Sequence, residues 1–279
     1  MAFRECPKRW YIDHVLKQRG RTHSVHMDFG TAVHSVLELL KGRNIKERPA
    51  VPGDMFEQIF VDLLWQNGLK YRDREREDLA KLGKGKGVDF YIRAGRNILA
   101  RFDECDEIRT AEVVYNEYRL DVPIDRDDGV STNFKGYVDM VIKTKDARGN
   151  TILYVCDFKS CSWGWPREKR ENRDLHFQIL LYKHFLCKRF GLDPKLVRTA
   201  FVLLKKRPSG DSPPVEFFPI SAGPVSVQRA LDEINSDITL MAEACETGEP
   251  RKNLKACRND YGDVCPHAGT ARCDAPLPK

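Results

Sequence analysis

Between Glu112 and Ser160 the chain carries three runs rich in β-branched and aromatic residues, EVVYNEYRLDVPI, FKGYVDMVIKT and TILYVCDFKS. The links between them, DRDDG and KDARGN, are turn-like in composition. Three successive strands on such short links predict an antiparallel meander, and this constrains the fold more than any other feature. Before the meander the spacing is helical. Residues 28–41 place Phe29, Val33, Val36, Leu37 and Leu40 on one face, DMFEQIFVDLLWQNG from Asp54 is capped by its own aspartate, and a third helix is predicted over Val88–Glu107. After the meander come a helix over Asp174–Phe190, strands at RTAFVLLKK and VEFFPIS, and a last helix over Val225–Glu246. This order predicts an α/β fold, one mixed five-stranded sheet flanked by helices, with an N-terminal helical insert. We read residues 1–279 as a single domain: a helical part over 1–110, a core over 111–248 and a cysteine-rich tail over 249–279.

Bulk properties set the limits. Hydrophobic residues are 41% of the 279, enough for a sizeable core. The net charge of +6 suits a nucleic-acid partner without demanding one. The N-terminus is charged and lacks an apolar signal region, and no run is long enough to span a membrane, so the expectation is an intracellular, cytoplasmic protein. Nine cysteines, an odd number, argue against a disulfide framework and for ligation by some of them.

The strands break their own patterns in a shared way. Residues two apart in a strand face the same side, so Asp157 and Lys159 share a face with Leu153 and Val155 at the strand's mouth. In the preceding strand Asp139 interrupts Val138 and Met140. Pairing through KDARGN sets Asp139 beside Asp157, and two adjacent carboxylates repel unless a cation lies between them. A divalent metal supplies that cation, and Lys159 adds to it. Two helices are interrupted similarly. His34 borders the Val33–Leu37 face, and Gln178 and Tyr182 lie four apart on the stripe of Leu175, Ile179, Phe185 and Leu186. Singly, each has a bland reading: a structural histidine, a semi-buried helix edge, a chance Asp-x-Lys. In this order they read as a site.

The ordered set resembles the RecB-like branch of the PD-(D/E)xK nuclease superfamily, which includes CRISPR-associated exonucleases, the AddB nuclease domain and phage relatives. The matching residues are GTAVH ending at His34, GYVD ending at Asp139, DFK from Asp157 to Lys159, and QILLY from Gln178 to Tyr182, with Glu117 similar to an acid on the branch's first strand. Asp157 stands where many relatives carry glutamate. The resemblance implies a restriction-endonuclease-like core and metal-dependent hydrolysis of DNA, with an exonuclease on single strands as the leading reading. It implies that His34, Asp139, Asp157 and the Phe158 carbonyl hold Mg²⁺ or Mn²⁺, the imidazole favouring Mn²⁺. Lys159 then orients the attacking water and offsets charge on the phosphate. Gln178 and Tyr182 position Lys159 or the strand, and Glu117 is a supporting acid or an exposed strand residue. Implied partners are DNA and proteins of repair, recombination, replication or CRISPR adaptation, a helicase among them, and the implied source is bacterial, archaeal or phage. The alternative is a non-catalytic DNA-binding or scaffold subunit of such an assembly. The branch also implies a short segment ahead of Cys6.

Cys257, Cys265 and Cys273 stand eight positions apart in a tail poor in large apolar residues, and ligation gives that tail a reason to be ordered. Cys6 completes a tetrathiolate set. The branch resemblance implies a [4Fe–4S] cluster there. Zn²⁺ is the alternative, through four cysteines or three with His267, in a zinc-stabilised nucleic-acid-binding module. Cys105, Cys156, Cys161, Cys187 and Cys245 read as packing residues. In SCSWGWPREKR, Trp163 and Trp165 with Arg167, Lys169 and Arg170 suit stacking on unpaired bases, or else a cap on the sheet edge.

Overall fold

The computed structural model describes residues 2–18, 23–39, 51–71, 73–80, 87–126, 128–129, 132–258 and 264–275. The chain divides into two compact units, Met1–His23 with Leu231–Lys279, and Ser24–Ala230.

The first unit opens with two short helices, α1 (Ala2–Glu5) and α2 (Pro7–Trp10), and a π-helical turn over Tyr11–Val15. Arg4 pairs with Glu233 and Asp237 at 2.5 and 2.7 Å, and the Lys8 amide donates to the Arg251 carbonyl at 3.0 Å. The chain's two ends are thus bonded to each other within this unit.

The second unit begins with α3 (Val25–Glu38), α4 (Pro52–Asn67), α5 (Asp73–Ala80), α6 (Val88–Ala100) and α7 (Asp106–Arg109). The Ser24 side chain caps α3 by accepting from the Met27 amide, and Pro52 starts α4, where its missing N–H costs nothing. The third predicted helix ends sooner than its pattern implied. Residue 101 leaves helical geometry, and Phe102 turns inward to meet Phe158 edge-on at 5.9 Å. Tertiary packing overrides periodicity there. The α5 helix has no buried residue, and six polar residues ahead of Leu79 and Ala80 give periodicity nothing to report. Of the first predicted helix, Leu40 and Lys41 lie outside the described residues, as does most of the GKGKG stretch.

The sheet has the order β1 (Glu112–Pro123), β2 (Asn133–Lys145), β3 (Thr151–Cys161), β4 (Val197–Lys205), β5 (Val215–Ile220). The first three form the antiparallel meander, β3 and β4 are parallel, and β5 returns antiparallel. The β2–β3 register is fixed by its turn, where Asp146 Oδ1 accepts from the amides of Arg148 and Asn150, both at 2.9 Å. The crossover from β3 to β4 carries the single turn α8 (Arg167–Arg170) and α9 (Arg173–Phe190), which is capped by Asn172. The last helix, α10 (Pro224–Thr247), starts in this unit.

A mixed five-stranded sheet flanked by helices is therefore the observed architecture. The core joins the apolar faces of α3, α4 and α6 to Met140, Ile142, Cys156, Phe158, Ala200, Val202 and Leu204. Helix α9 packs on β4, β3, β1 and β2. No described helix is long and apolar enough to cross a membrane.

Candidate active site at a fork in the sheet

The site is built where two strands separate. The β2–β3 ladder runs from Lys145–Thr151 to Met140–Cys156 and stops. One step further the next opposed residues are Asp139 and Asp157. There Asp139 Oδ2 accepts from the Phe158 amide at 2.6 Å, so a side chain stands where the ladder would otherwise continue. Beyond this point β3 stays paired with β4 through Cys161, and β2 stays paired with β1 through Asn133. The two carboxylates therefore occupy the crotch of a fork whose arms are both held rigid by other strands.

Five further residues surround that crotch. Lys159 Nζ lies 2.6 Å from Asp157 Oδ2, an ion pair off hydrogen-bond direction, so this buried oxygen keeps unused acceptor capacity. His34, on α3, sets its ring edge-on to Phe158 at 5.5 Å and its Nδ1 3.8 Å from Asp139 Oδ1. On α9 the Gln178 amide donates to the Tyr182 hydroxyl at 2.6 Å, and the Tyr182 ring lies against Gly136 of β2. Glu117 of β1 falls in the ladder at the position facing Asp139, since its neighbours Asn116 and Tyr118 pair with Met140 and Val138. Its φ of 48° is left-handed, uncommon for a side chain of this size and unexpected within a strand. The structure thus brings together His34, Glu117, Asp139, Asp157, Lys159, Gln178 and Tyr182, drawn from five elements.

Electrostatics follow from burial. Desolvation, then the neighbouring Asp157 charge, pushes Asp139 up from 3.8 to about 8, against the pull of the Phe158 amide. Asp157 is also raised, by desolvation against the pull of Lys159. His34 is lowered to about 4 by burial and then by Lys159, so its imidazole is neutral at pH 7 and its approach to Asp139 is not an ion pair. Tyr182 is raised to about 12, chiefly by desolvation. Two largely desolvated carboxylates that resist joint ionisation, beside a neutral imidazole, form a donor set that suits a divalent cation. Among the described residues no group of three or more His, Cys, Asp or Glu stands at ready-made metal-ligand spacing. The carboxylates are turned toward Lys159 and the Phe158 amide instead of toward one point.

The four cysteines at the chain's ends lie in the same unit. Cys6, Cys257 and Cys273 are buried and Cys265 is half-buried. Cys257, Cys273 and Cys265 belong to a small cluster with Ile12, Ala268 and Ala275. The Cys257 thiol is pushed up by desolvation and then by Cys265, Cys273 and Cys6, so each of these three lies within electrostatic reach of it, although the four do not stand at ready-made metal-ligand spacing. As a donor set this suits a tetrathiolate group. His267 Nε2 lies 2.9 Å from Asp13, so that nitrogen is already engaged.

Two residues behave differently from their neighbours in sequence. Trp165 is 5% exposed and packs on Phe201 and Phe218, so it caps the sheet, whereas Trp163 is 64% exposed. Within the KKRP stretch, Lys205 is bound by Ser212 and Glu216, while Lys206 is buried over the Phe29 ring. A buried lysine beside an apolar strand end carries no sequence signal distinguishing it from a solvated charge run.

An acid pair and a lysine together at the mouth of a mixed sheet suit a class of phosphodiester-cleaving proteins. The model of the PD-(D/E)XK nuclease superfamily matches residues 1–273, and the chain belongs to that superfamily. No curated protein matches the chain. A matching solved structure is the crystal structure of a "Putative exonuclease" from Eubacterium rectale, with TM-score 0.50 and 11% identity, covering 93% of this chain and 84% of that one. At that identity the likeness shows the fold alone.

Proposed function

We propose that this protein is a metal-dependent deoxyribonuclease of the RecB-like branch, hydrolysing single-stranded DNA from an end. The observation that carries this reading is the pair at the fork, Asp157 buried and Asp139 half-buried, with Lys159 on the same strand end. His34, Asp139, Asp157 and the Phe158 carbonyl are the residues that would hold Mg²⁺ or Mn²⁺. When bound, such an ion polarises the phosphate and lowers the pKa of its water.

The chain's own residues then have distinct tasks. The neutral His34 offers a lone pair without adding positive charge. Lys159 is held by Asp157, and a cation drawing on that carboxylate frees its ammonium to face a phosphate oxygen and orient water. Tyr182, bonded to Gln178 and packed on Gly136, keeps the β2 arm of the fork in place. Glu117 adds negative charge toward Asp139 and favours cation uptake over ionisation alone.

We further propose that Cys6, Cys257, Cys265 and Cys273 hold a [4Fe–4S] cluster. Four thiols in one unit, three of them acting electrostatically on Cys257, support this reading. Anaerobic purification with iron, sulfide and zinc analysis tests this, and a colourless zinc protein would overturn it.

For catalysis the test is Asp157→Ala and Lys159→Ala on end-labelled strands with Mn²⁺. Both should lose cleavage by more than about 10³-fold while melting as folded proteins. Full activity in either variant refutes the site. Tight DNA binding by the wild type with no cleavage in any divalent metal indicates a non-catalytic subunit instead.

A further inference from the structure

The loop that leaves β3 directly after Lys159 presents one tryptophan inward and one outward. Gly164, with φ of 129°, sits between them in a conformation side chains rarely adopt, and this reversal lets Trp165 enter the core while Trp163 leaves it. The loop is tied down. The Lys206 and Arg207 amides donate to the Cys161 and Ser162 carbonyls at 2.9 and 2.7 Å, extending the parallel β3–β4 pairing past the strand ends. Lys169 and Arg170 lie over Trp165 and Phe218, on the inner side.

Outside, the Arg207 guanidinium lies 4.5 Å from the Phe90 ring centre and 5.8 Å from that of Trp163. It is layered between two rings, so Trp163 has a cation toward one face and remains largely exposed. Lys206, only 8% exposed, brings its ammonium to the same strand end. Trp163 follows Lys159 by four residues, so their backbones are at most about 14 Å apart. An exposed, cation-backed indole at that reach from the acid pair offers a flat face on which a planar partner can stack.

We propose that Trp163, positioned by Arg207, is a stacking platform for an unpaired base of the DNA strand whose phosphate lies at the fork. This rests on the nuclease reading for its strand, and it adds the subsite that distinguishes single strands from duplex. A base within a duplex has both faces occupied, whereas an unpaired base offers one to Trp163. The stack is indifferent to base identity, so the platform selects strandedness and not sequence.

The experiment is equilibrium binding of a labelled oligo-dT to the full chain in EDTA, by anisotropy, with a blunt duplex of equal length alongside. Trp163→Ala should weaken oligo-dT binding by about 5- to 150-fold, the alanine-substitution range of one base–aromatic stack, and leave duplex binding within about twofold. Trp163→Phe should restore most of the loss. Arg207→Gln should give a smaller loss for oligo-dT. Unchanged oligo-dT affinity in Trp163→Ala overturns the proposal, as does an equal loss for duplex. The two readings fail separately. A wild type that binds oligo-dT through Trp163 but cuts nothing overturns the nuclease and keeps the platform. A nuclease whose Trp163→Ala variant binds and cuts like wild type does the reverse.

Discussion

Gly136→Ala tests the packing that holds the fork open. A Cβ at residue 136 would lie 2.7 Å from Tyr182 Cε1, 3.3 Å from its hydroxyl oxygen and 3.4 Å from Cζ. Ordinary contact begins at 3.4 Å, so ring and strand must separate by about 0.7 Å. Neither yields easily. Tyr182 is buried, its hydroxyl takes the Gln178 amide, and Gly136 is paired with Leu120 in the ladder. Overpacking of this kind costs about 1–3 kcal/mol. Loss of glycine's freedom in the unfolded chain offsets about 0.4–1 kcal/mol of that. A net destabilisation of about 1–2 kcal/mol is expected, read as a shift of the urea midpoint in metal-free protein. The control is a double-mutant cycle with Tyr182→Ala. With the ring gone the clash is gone, and Gly136→Ala should become neutral or slightly stabilising, a coupling of at least about 1 kcal/mol. The same substitution should slow cleavage, by up to about 10²-fold for an ångström-scale displacement three residues from Asp139. An equal penalty in both backgrounds would show that the cost arises elsewhere than at Tyr182, and the argument for Gly136 would fall.

Three other outcomes are expected. Because Asp139 is raised from 3.8 unfolded to about 8 folded, the native state holds that proton longer; stability is fullest at low pH and is lost as pH rises from about 4 to about 8. The slope in metal-free protein approaches about 1.4 kcal/mol per pH unit for the one proton, and Asp139→Asn should flatten denaturation midpoints across that window; an unchanged slope would count against burial as the cause. Trp165→Ala should cost about 3–5 kcal/mol by removing a buried ring from Phe201 and Phe218, whereas Trp163→Ala should change stability by no more than about 0.5 kcal/mol; similar melting shifts for the two would contradict the inward and outward assignment. Glu117→Gly relieves a left-handed φ worth about 1–2 kcal/mol, less glycine's own cost of about 0.5–1 kcal/mol. The metal-free variant should unfold at slightly higher denaturant while cleaving more slowly, and a midpoint that falls would refute stored strain at Glu117.

The strands and the acid pair were legible in sequence because each is a local violation of a local pattern. Runs rich in β-branched and aromatic residues mark β1 to β3, and a carboxylate inside such a run is conspicuous, so Asp139, Asp157 and Lys159 were visible. The turn residues Asp146 and Gly149 fixed which strands pair and hence which acids meet. Other features depend on relations between distant residues. The division into Met1–His23 with Leu231–Lys279 and Ser24–Ala230 arises from contacts between chain ends, and no composition shift marks it. Trp163 and Trp165 are equivalent as letters, and a single backbone reversal at Gly164 separates their fates. Lys205 and Lys206 are hidden for a related reason: in a run of three cations, which ones are buried depends on Ser212 and Glu216 for the first and on Phe29 from α3 for the second.

The fork explains why these separately encoded features act together. A continuous β2–β3 ladder would satisfy the Phe158 amide with a backbone carbonyl, and both acids would stand at ordinary sheet positions. Here the Asp139 carboxylate takes that amide, so part of the hydrogen bonding that holds the sheet is supplied by a residue of the proposed metal site. Protonation, or capture of a cation, at Asp139 therefore alters a bond to the β3 backbone directly beside Asp157 and Lys159. The rigid outer pairings, β1 with β2 and β3 with β4, confine that change to the crotch. A site on loops would absorb the same perturbation by relaxing. Between two arms held by other strands, Asp139→Asn should therefore change the environment of Asp157 and Lys159 and leave the outer pairings in place, as amide exchange of β1, β4 and β5 would show.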